Sequence, residues 1–230
     1  MDHSVLITGG TGALGGAVVD VFLEAGWRVV TTWIVPADRD RLPEASGFVA
    51  VEADLFDEAQ AAEAVSQASS DNGAPLAAVV NLVGGFDAGA RVHETPVDRF
   101  EGQLRLNLRP TYLVTQASLP KLIDSGGGTI VCVSARAALT PFAGAAGYIT
   151  AKAAVLAFAQ AVATEYRDDG IRCNAVLPSV IDTPANRDSQ PDADHSRWVQ
   201  PIEIAHVIRF LCSDGSAPTS GAAIPVYGRA

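Results

Sequence analysis

Positive charge is in short supply in this chain: 16 Lys and Arg stand against 26 Asp and Glu, a formal net charge of −10. An acidic surface without a basic cluster repels phosphate backbones and anionic headgroups, which excludes nucleic acid and membrane surfaces as partners. Cysteine is scarce too. Cys132, Cys173 and Cys212 are odd in number, far apart and set in apolar stretches, so they read as reduced core residues of a cytoplasmic protein rather than a disulfide framework. No apolar run approaches the roughly 20 residues of a membrane span. Met1 to Ser4 lead straight into the first apolar run, which leaves no room for a signal peptide. The four histidines, His3, His93, His195 and His206, show no ligand spacing with Cys or carboxylates, and no metal is expected.

Apolar residues and glycine are plentiful instead: 48% hydrophobic and 21 glycines, with 18% charged. That composition suits a compact α/β enzyme, and the length suits one domain over 1–230 that buries about 70% of its unfolded surface. The chain is organised around Val5-Leu6-Ile7-Thr8-Gly9-Gly10-Thr11-Gly12-Ala13-Leu14-Gly15-Gly16. A short apolar run bounded by Gly reads as a buried strand, and the pattern then turns helical through Ala17, Val18, Val21 and Phe22. Strand, glycine-rich turn and helix start together make a phosphate cradle, because glycines permit a tight turn and the helix start offers free N–H groups. Gly9, Gly12 and Gly15 are spaced three apart, a variant of the dinucleotide fingerprint.

Further strands are expected over 27–33, 48–51, 77–83, 129–133, 171–177 and 222–226. Helices are expected over 57–69, from Thr95-Pro96 to just before Gly126 with an interruption near Arg109-Pro110, over 147–166 and over 202–212. Pro36 and Pro43 bracket a crossover with room for a turn or two of helix, and Asn72-Gly73 reads as a turn. Strands alternating with helices imply right-handed crossovers and a parallel sheet covered on both faces. Residues 178–200, rich in Pro, Asp, Asn and Ser, read as an irregular loop long enough to be a substrate lid.

Tyr148 and Lys152 sit four apart at the start of a helix, so their side chains share one face. An ammonium about 4 Å from a phenol, at an effective dielectric near 20, contributes roughly 4 kcal/mol, or about three pKa units. That brings the hydroxyl, ordinarily near 10, into range for proton transfer at neutral pH.

Thr8-Gly9-x-x-Gly12-x-x-Gly15, Asp54, Asn81-x-x-Gly84, Asn107, Tyr148-x-x-x-Lys152 and Pro178 to Thr183 resemble, in order and spacing, the short-chain dehydrogenase/reductases, from Val5 to about Gly228. Within that family, Gly12 to Gly15, Val83 to Phe86, Arg136 to Leu139 and the stretch from Leu177 to Trp198 are similar to dihydropteridine reductases and their bacterial relatives. The resemblance implies a Rossmann-type doubly wound parallel sheet of about seven strands with helices on both faces. It implies an NAD(P)-dependent oxidoreductase acting on a small molecule, with hydride moving between nicotinamide and a carbonyl, an alcohol or a conjugated imine of dihydropterin type. Tyr148 would exchange the proton, Lys152 would hold the nicotinamide ribose and lower the pKa of Tyr148, and Asn107 would anchor a water relaying protons from Lys152. The dinucleotide would lie on Gly9, Thr11, Gly12, Ala13, Leu14 and Gly15, then Trp33, Asp54 and Leu55, then Asn81, Val83 and Gly84. Asp54 would accept from the adenine amino group, and Asn81 and Gly84 would line the adenosine side. Pro178, Val180, Ile181 and Thr183 would complete the site around the carboxamide, beside Tyr148 and Lys152.

The family pattern is departed from twice. The serine that usually bonds the substrate oxygen lies thirteen residues before the tyrosine; here that position is Ala135, and Ser134 beside it is the candidate if the strand end bulges. Where strand two should end on an acidic residue that grips the 2′-hydroxyl of NAD, Trp33 stands, with Arg39 and Arg41 nearby. Cofactor choice stays open between NAD and NADP and leans to NADP. Phe86 is a candidate cover for a flat substrate ring, and His195 a lid residue. The competing readings are a 3-oxoacyl-thioester or ketone reductase and a noncatalytic dinucleotide-binding sensor. The helices over 104–122 and 148–166 are apolar nearly all round, which implies a second buried face and a homodimer or homotetramer.

Overall fold

The structure, a computed structural model, describes residues 1–71 and 73–229. Asn72 of the expected Asn72-Gly73 turn lies outside the described residues. Seven strands, β1 (Ser4–Ile7), β2 (Arg28–Trp33), β3 (Phe48–Glu52), β4 (Leu76–Asn81), β5 (Gly128–Val133), β6 (Ile171–Pro178) and β7 (Ala223–Val226), pair in the order β3-β2-β1-β4-β5-β6-β7. Every pairing is parallel. Each parallel step needs a crossover, which the intervening helices supply. They are α1 (Ala13–Glu24), α2 (Pro36–Arg39), α3 (Glu58–Ala68), α4 (Val97–Asp124), α5 (Ala146–Glu165), α6 (Pro184–Ser189) and α7 (Pro201–Leu211).

Two apolar layers flank the sheet. On one face Val18 and Phe22 of α1 and Ile204 and Ile208 of α7 pack on Val5, Ile7 and Val131. On the other, Ala64 of α3, Val114 of α4 and Val155 of α5 pack on Leu6, Val79 and Ile130. Neighbouring strand residues alternate between the two layers, as a period of two requires, and each fully buried Val, Leu or Ile contributes about 1.5–3 kcal/mol. The three cysteines are buried and free, and burial pushes the Cys212 thiol up to about 12.

The sheet order reverses between β1 and β4, so their carboxyl ends open the crevice where doubly wound sheets bind ligands. β4 stops at Asn81, two residues short of expectation, because Leu82 N–H turns from the ladder to donate to Thr8 Oγ1 at 2.9 Å. The helix expected to break near Arg109-Pro110 runs unbroken from Val97 to Asp124, with Pro110 and Pro120 inside it. An interior proline costs ~3 kcal/mol in an isolated helix; here Pro110 is buried in an element clamped between α3 and α5, and packing overrides local preference. The stretch 178–200 is also more regular than expected. Thr183 Oγ1 accepts from Asn186 N–H and Pro184 opens α6, while Ile181 bridges to Val199 in a parallel ladder step. A six-residue helix is too short to show a period in sequence.

Helix α5 corrects the reading of hydropathy. By length and composition alone its 20 residues, with a mean hydropathy of 1.3, are apolar enough to cross a membrane. It packs instead on the sheet alongside α4, with Val155, Leu156, Ala159 and Val162 buried.

Candidate active site

The loop after β1 is shaped by contacts only glycine permits. Gly9 has φ +70°, a Cβ on Gly10 would run into the Thr31 side chain, and one on Gly15 would run into the Gly9 carbonyl. Gly12 caps α1 without any side-chain bond, and no acidic residue occupies the first turn. The first N–H groups of α1 have no intrahelical partner, so Ala13 and Leu14, exposed or half-buried at the crevice, present donors and a positive dipole end to an anion. Thr11 is half-buried in the same loop. Thr8 of the glycine motif holds the loop in place, its Oγ1 taking Leu82 N–H across the switch point, and Thr32, which no motif singled out, does the same by accepting from Gly9 N–H at 3.4 Å. A threonine inside β2 looks like any β-branched strand former, so Thr32 carries no sequence signal.

Across the crevice the chain leaves β4 through Val83, which packs on Gly9, and Gly84. A Cβ on Gly84 would lie 2.6 Å from Asn107 Oδ1 and 3.1 Å from Lys152 Nζ. The glycine, α4 and α5 therefore meet at one point, with room there for backbone but no side chain. Lys152 Nζ donates to the Val133 carbonyl at 3.0 Å, and its burial lowers the ammonium pKa to about 8. Tyr148 lies on the same helix face, its ring centroid 5.9 Å from that Nζ. Burial pushes the Tyr148 phenol up to about 12. This corrects the expected lowering of the phenol pKa: desolvation of the phenolate dominates here.

Asn107 is 1% exposed and both ends of its amide hold Gly85, Oδ1 accepting from Gly85 N–H at 3.1 Å and Nδ2 donating to Gly85 O at 3.0 Å. Its side chain clamps the β4 exit. Ser134 is a second correction. Its hydroxyl is 2% exposed and donates to the Lys152 carbonyl at 2.7 Å, which ties β5 to α5 and keeps it out of the cleft. Asn81 is a third. The residue is 3% exposed, Nδ2 donates to Thr115 Oγ1 at 3.1 Å, and Oδ1 is buried without a partner among the described residues, so it faces α4 beneath the sheet and not an adenosine.

At the far end of the crevice Trp33 closes β2, half-buried, with the Arg39 guanidinium 5.9 Å from its ring centroid. Arg41 pairs with Asp38 at 3.1 Å instead. Asp54 Oδ1 accepts from Phe56 N–H at 2.9 Å, which turns the chain there, and the Leu55 side chain is buried in the core. Pro178, which closes β6, is buried, and beyond it Val180, Ile181 and Thr183 are half-buried. Asn186 Nδ2 donates to the Ile181 carbonyl at 2.8 Å. Asp182 binds Arg187 through both carboxylate oxygens and accepts from Gln200, which holds its carboxyl well below the usual range. His195 lies against Trp198 with ring centroids 4.3 Å apart and a 45° tilt, and its Nε2 lies 2.8 Å from the Gln190 carbonyl. Phe142, which no motif singled out, joins Phe86 at the mouth of the cleft beside Tyr148.

These elements fit a dinucleotide: a capless helix start for the pyrophosphate, a Cβ-free approach at Gly84, and a buried ammonium beside a phenol. The chain is similar to known proteins along its length. The family model described as short chain dehydrogenase matches residues 3–194. The 2-(R)-hydroxypropyl-CoM dehydrogenase of Xanthobacter autotrophicus is 31% identical, over 99% of this chain and 98% of the relative. The solved structure of a short-chain dehydrogenase/reductase family oxidoreductase from Burkholderia thailandensis is 30% identical and superposes with a TM-score of 0.87, over 99% of this chain and 92% of that one. A structure titled ElxO with NADP bound reaches a TM-score of 0.91 over 99% of this chain and 98% of that one, but at 24% identity, a likeness of fold alone. The chain belongs to the short-chain dehydrogenase/reductase family of NAD(P)-binding oxidoreductases.

Proposed function

We propose that the protein moves a hydride between a bound NADP and the carbonyl or alcohol carbon of a small molecule, or a conjugated imine of dihydropterin type, with Tyr148 as the proton donor and acceptor. The observation that carries this is the meeting of Gly84, Lys152 and Tyr148 at the switch point of the sheet. When bound there, the nicotinamide supplies or accepts the hydride. Tyr148, held protonated at neutral pH by burial, delivers its proton to the carbonyl oxygen as that oxygen gains charge. Lys152, charged below about 8, holds the ribose hydroxyls and steadies the phenolate that results. Asn107 keeps Gly85, and with it Gly84, against α4 so that the approach stays open. The relative that oxidises a 2-hydroxypropyl group supports a secondary alcohol and its ketone as the reacting pair. Turnover of a panel of ketones and quinonoid pterins, followed as loss of reduced dinucleotide absorbance, checks the reading. Dinucleotide binding with no turnover across the panel would favour a sensor.

The lean to NADP rests on Trp33 and Arg39, which leave no carboxylate at the end of β2 to repel a 2′-phosphate. Trp33→Asp is expected to shift the ratio of kcat/KM for NADPH over NADH at least tenfold toward NADH. An unchanged ratio would place ribose discrimination elsewhere.

Assembly is proposed through α4 and α5. Leu104, Leu108 and Tyr112 of α4 and Ala154 and Phe158 of α5 line an open groove, and Tyr112 is 46% exposed. Pairing both helices with a second copy covers this surface. Light scattering at micromolar concentration is expected to give a multiple of the 23.8 kDa chain mass; the mass of one chain would rule the pairing out.

A further inference from the structure

Large apolar side chains gather in the open at one place in the cleft. Phe86 is 64% exposed and Phe142 49%. Scattered exposed apolar residues need no explanation, whereas a cluster beside a candidate catalytic residue marks a binding surface. Phe86 meets the Tyr148 ring edge-on at 4.9 Å and 84°, and faces Phe142 at 6.4 Å with a 39° tilt. The two phenylalanines thus form a wedge with Tyr148 at its base.

Exposed rings are normally free to move, but the backbone that carries these is tied on every side. Gly85, just before Phe86, is held through both its N–H and C=O by Asn107. Asp87, just after it, is gripped through both carboxylate oxygens by Arg99, which also donates to the Ala88 carbonyl. Gly89 N–H donates to the Gly144 carbonyl at 2.8 Å and so joins this loop to the segment carrying Phe142. Asp87 and Arg99 neutralise one another, which leaves aromatic surface as what the wedge offers.

From this we infer that the cleft selects a carbonyl attached to a flat unsaturated ring, and that Phe86 and Phe142 hold that ring while Tyr148 reaches the oxygen. The inference rests on the proposed carbonyl chemistry and adds the substrate class. Aromatic pairs prefer edge-to-face or offset contacts with centroids about 4.5–7 Å apart, and the exposed faces of Phe86 and Phe142 leave such contacts to be made by a ligand ring. A planar ring meets those contacts; a puckered saturated ring of equal size does not.

Acetophenone and cyclohexyl methyl ketone isolate this difference, since they share size and carbonyl position. Their dissociation constants can be measured by ligand-observed NMR with NADP⁺ present, where the ketones bind without reacting. Acetophenone is expected to bind at least tenfold more tightly than the saturated ketone. Phe86→Leu and Phe142→Leu, which remove no buried ring and so spare the core, are each expected to weaken acetophenone about three- to tenfold and to leave the saturated ketone within about twofold. Equal affinities, no binding of either ketone, or unchanged acetophenone affinity in both variants would overturn the inference. So would a changed oligomeric mass in the variants, which would assign the rings to contact between copies. Turnover with NADPH and NADH separates this result from the underlying reading. Selective binding without turnover upholds the wedge and removes the proposed carbonyl chemistry for such ketones; turnover of both ketones with equal affinity does the reverse.

Discussion

Tyr148→Phe is expected to lower kcat by about 10²–10⁴-fold, the range associated with losing a positioned proton donor, while dinucleotide affinity stays within a few-fold. The phenyl ring that remains keeps the edge contact with Phe86, so packing is preserved and only the proton is lost. Burial holds the hydroxyl near 12, two units above its usual value. Desolvation dominates, so the phenol is protonated and able to donate at neutral pH. Steady-state kinetics check this: kcat and kcat/KM should fall together. Retention of most of the wild-type kcat would remove Tyr148 from the chemistry.

Lys152→Met is expected to abolish turnover and stabilise the fold. A buried ammonium whose pKa falls from 10.5 to about 8 costs roughly 3 kcal/mol at neutral pH. Losing the bond to the Val133 carbonyl returns about 1 kcal/mol of that. A net gain of about 2 kcal/mol raises Tm by roughly 4–8 °C in a chain of this size. The sign has a pH signature. Between about 8 and 10.5 the unfolded chain keeps a proton on Lys152 that the folded chain has lost, so wild-type stability climbs with pH through that window and the advantage of the variant shrinks. Wild-type kcat/KM for carbonyl reduction should move oppositely, level below about 7 and declining through about 8 as the ammonium discharges. Differential scanning calorimetry from pH 7 to 10 reads the first effect; a variant less stable than wild type at pH 7 would contradict the burial argument.

Much of the fold was legible because it rests on local signals. The run from Val5 to Gly16 becomes strand, glycine turn and helix start, and alternating apolar segments become a parallel sheet. What escaped depends on partners distant in sequence. β4 ends early because Thr8, more than seventy residues away, captures Leu82 N–H. Pro110 does not break α4 because neighbouring elements hold that helix. The same division runs through the site. Tyr148 and Lys152 share a face because a helix period demands it, whereas the inward turn of Ser134 and Asn81 is a matter of strand facing that a one-residue slip reverses. Phe142 sits in a turn with no periodic context, and only the Gly89 to Gly144 contact reveals its place beside Phe86.

The crevice between β1 and β4 is expected to hold a reduced nicotinamide dinucleotide. Titration of the purified protein with NADPH and NADH, followed by nicotinamide fluorescence, tests it most directly. Saturable enhancement at one dinucleotide per chain, tighter for NADPH, is the predicted result; a signal that does not saturate with either dinucleotide would contradict the account.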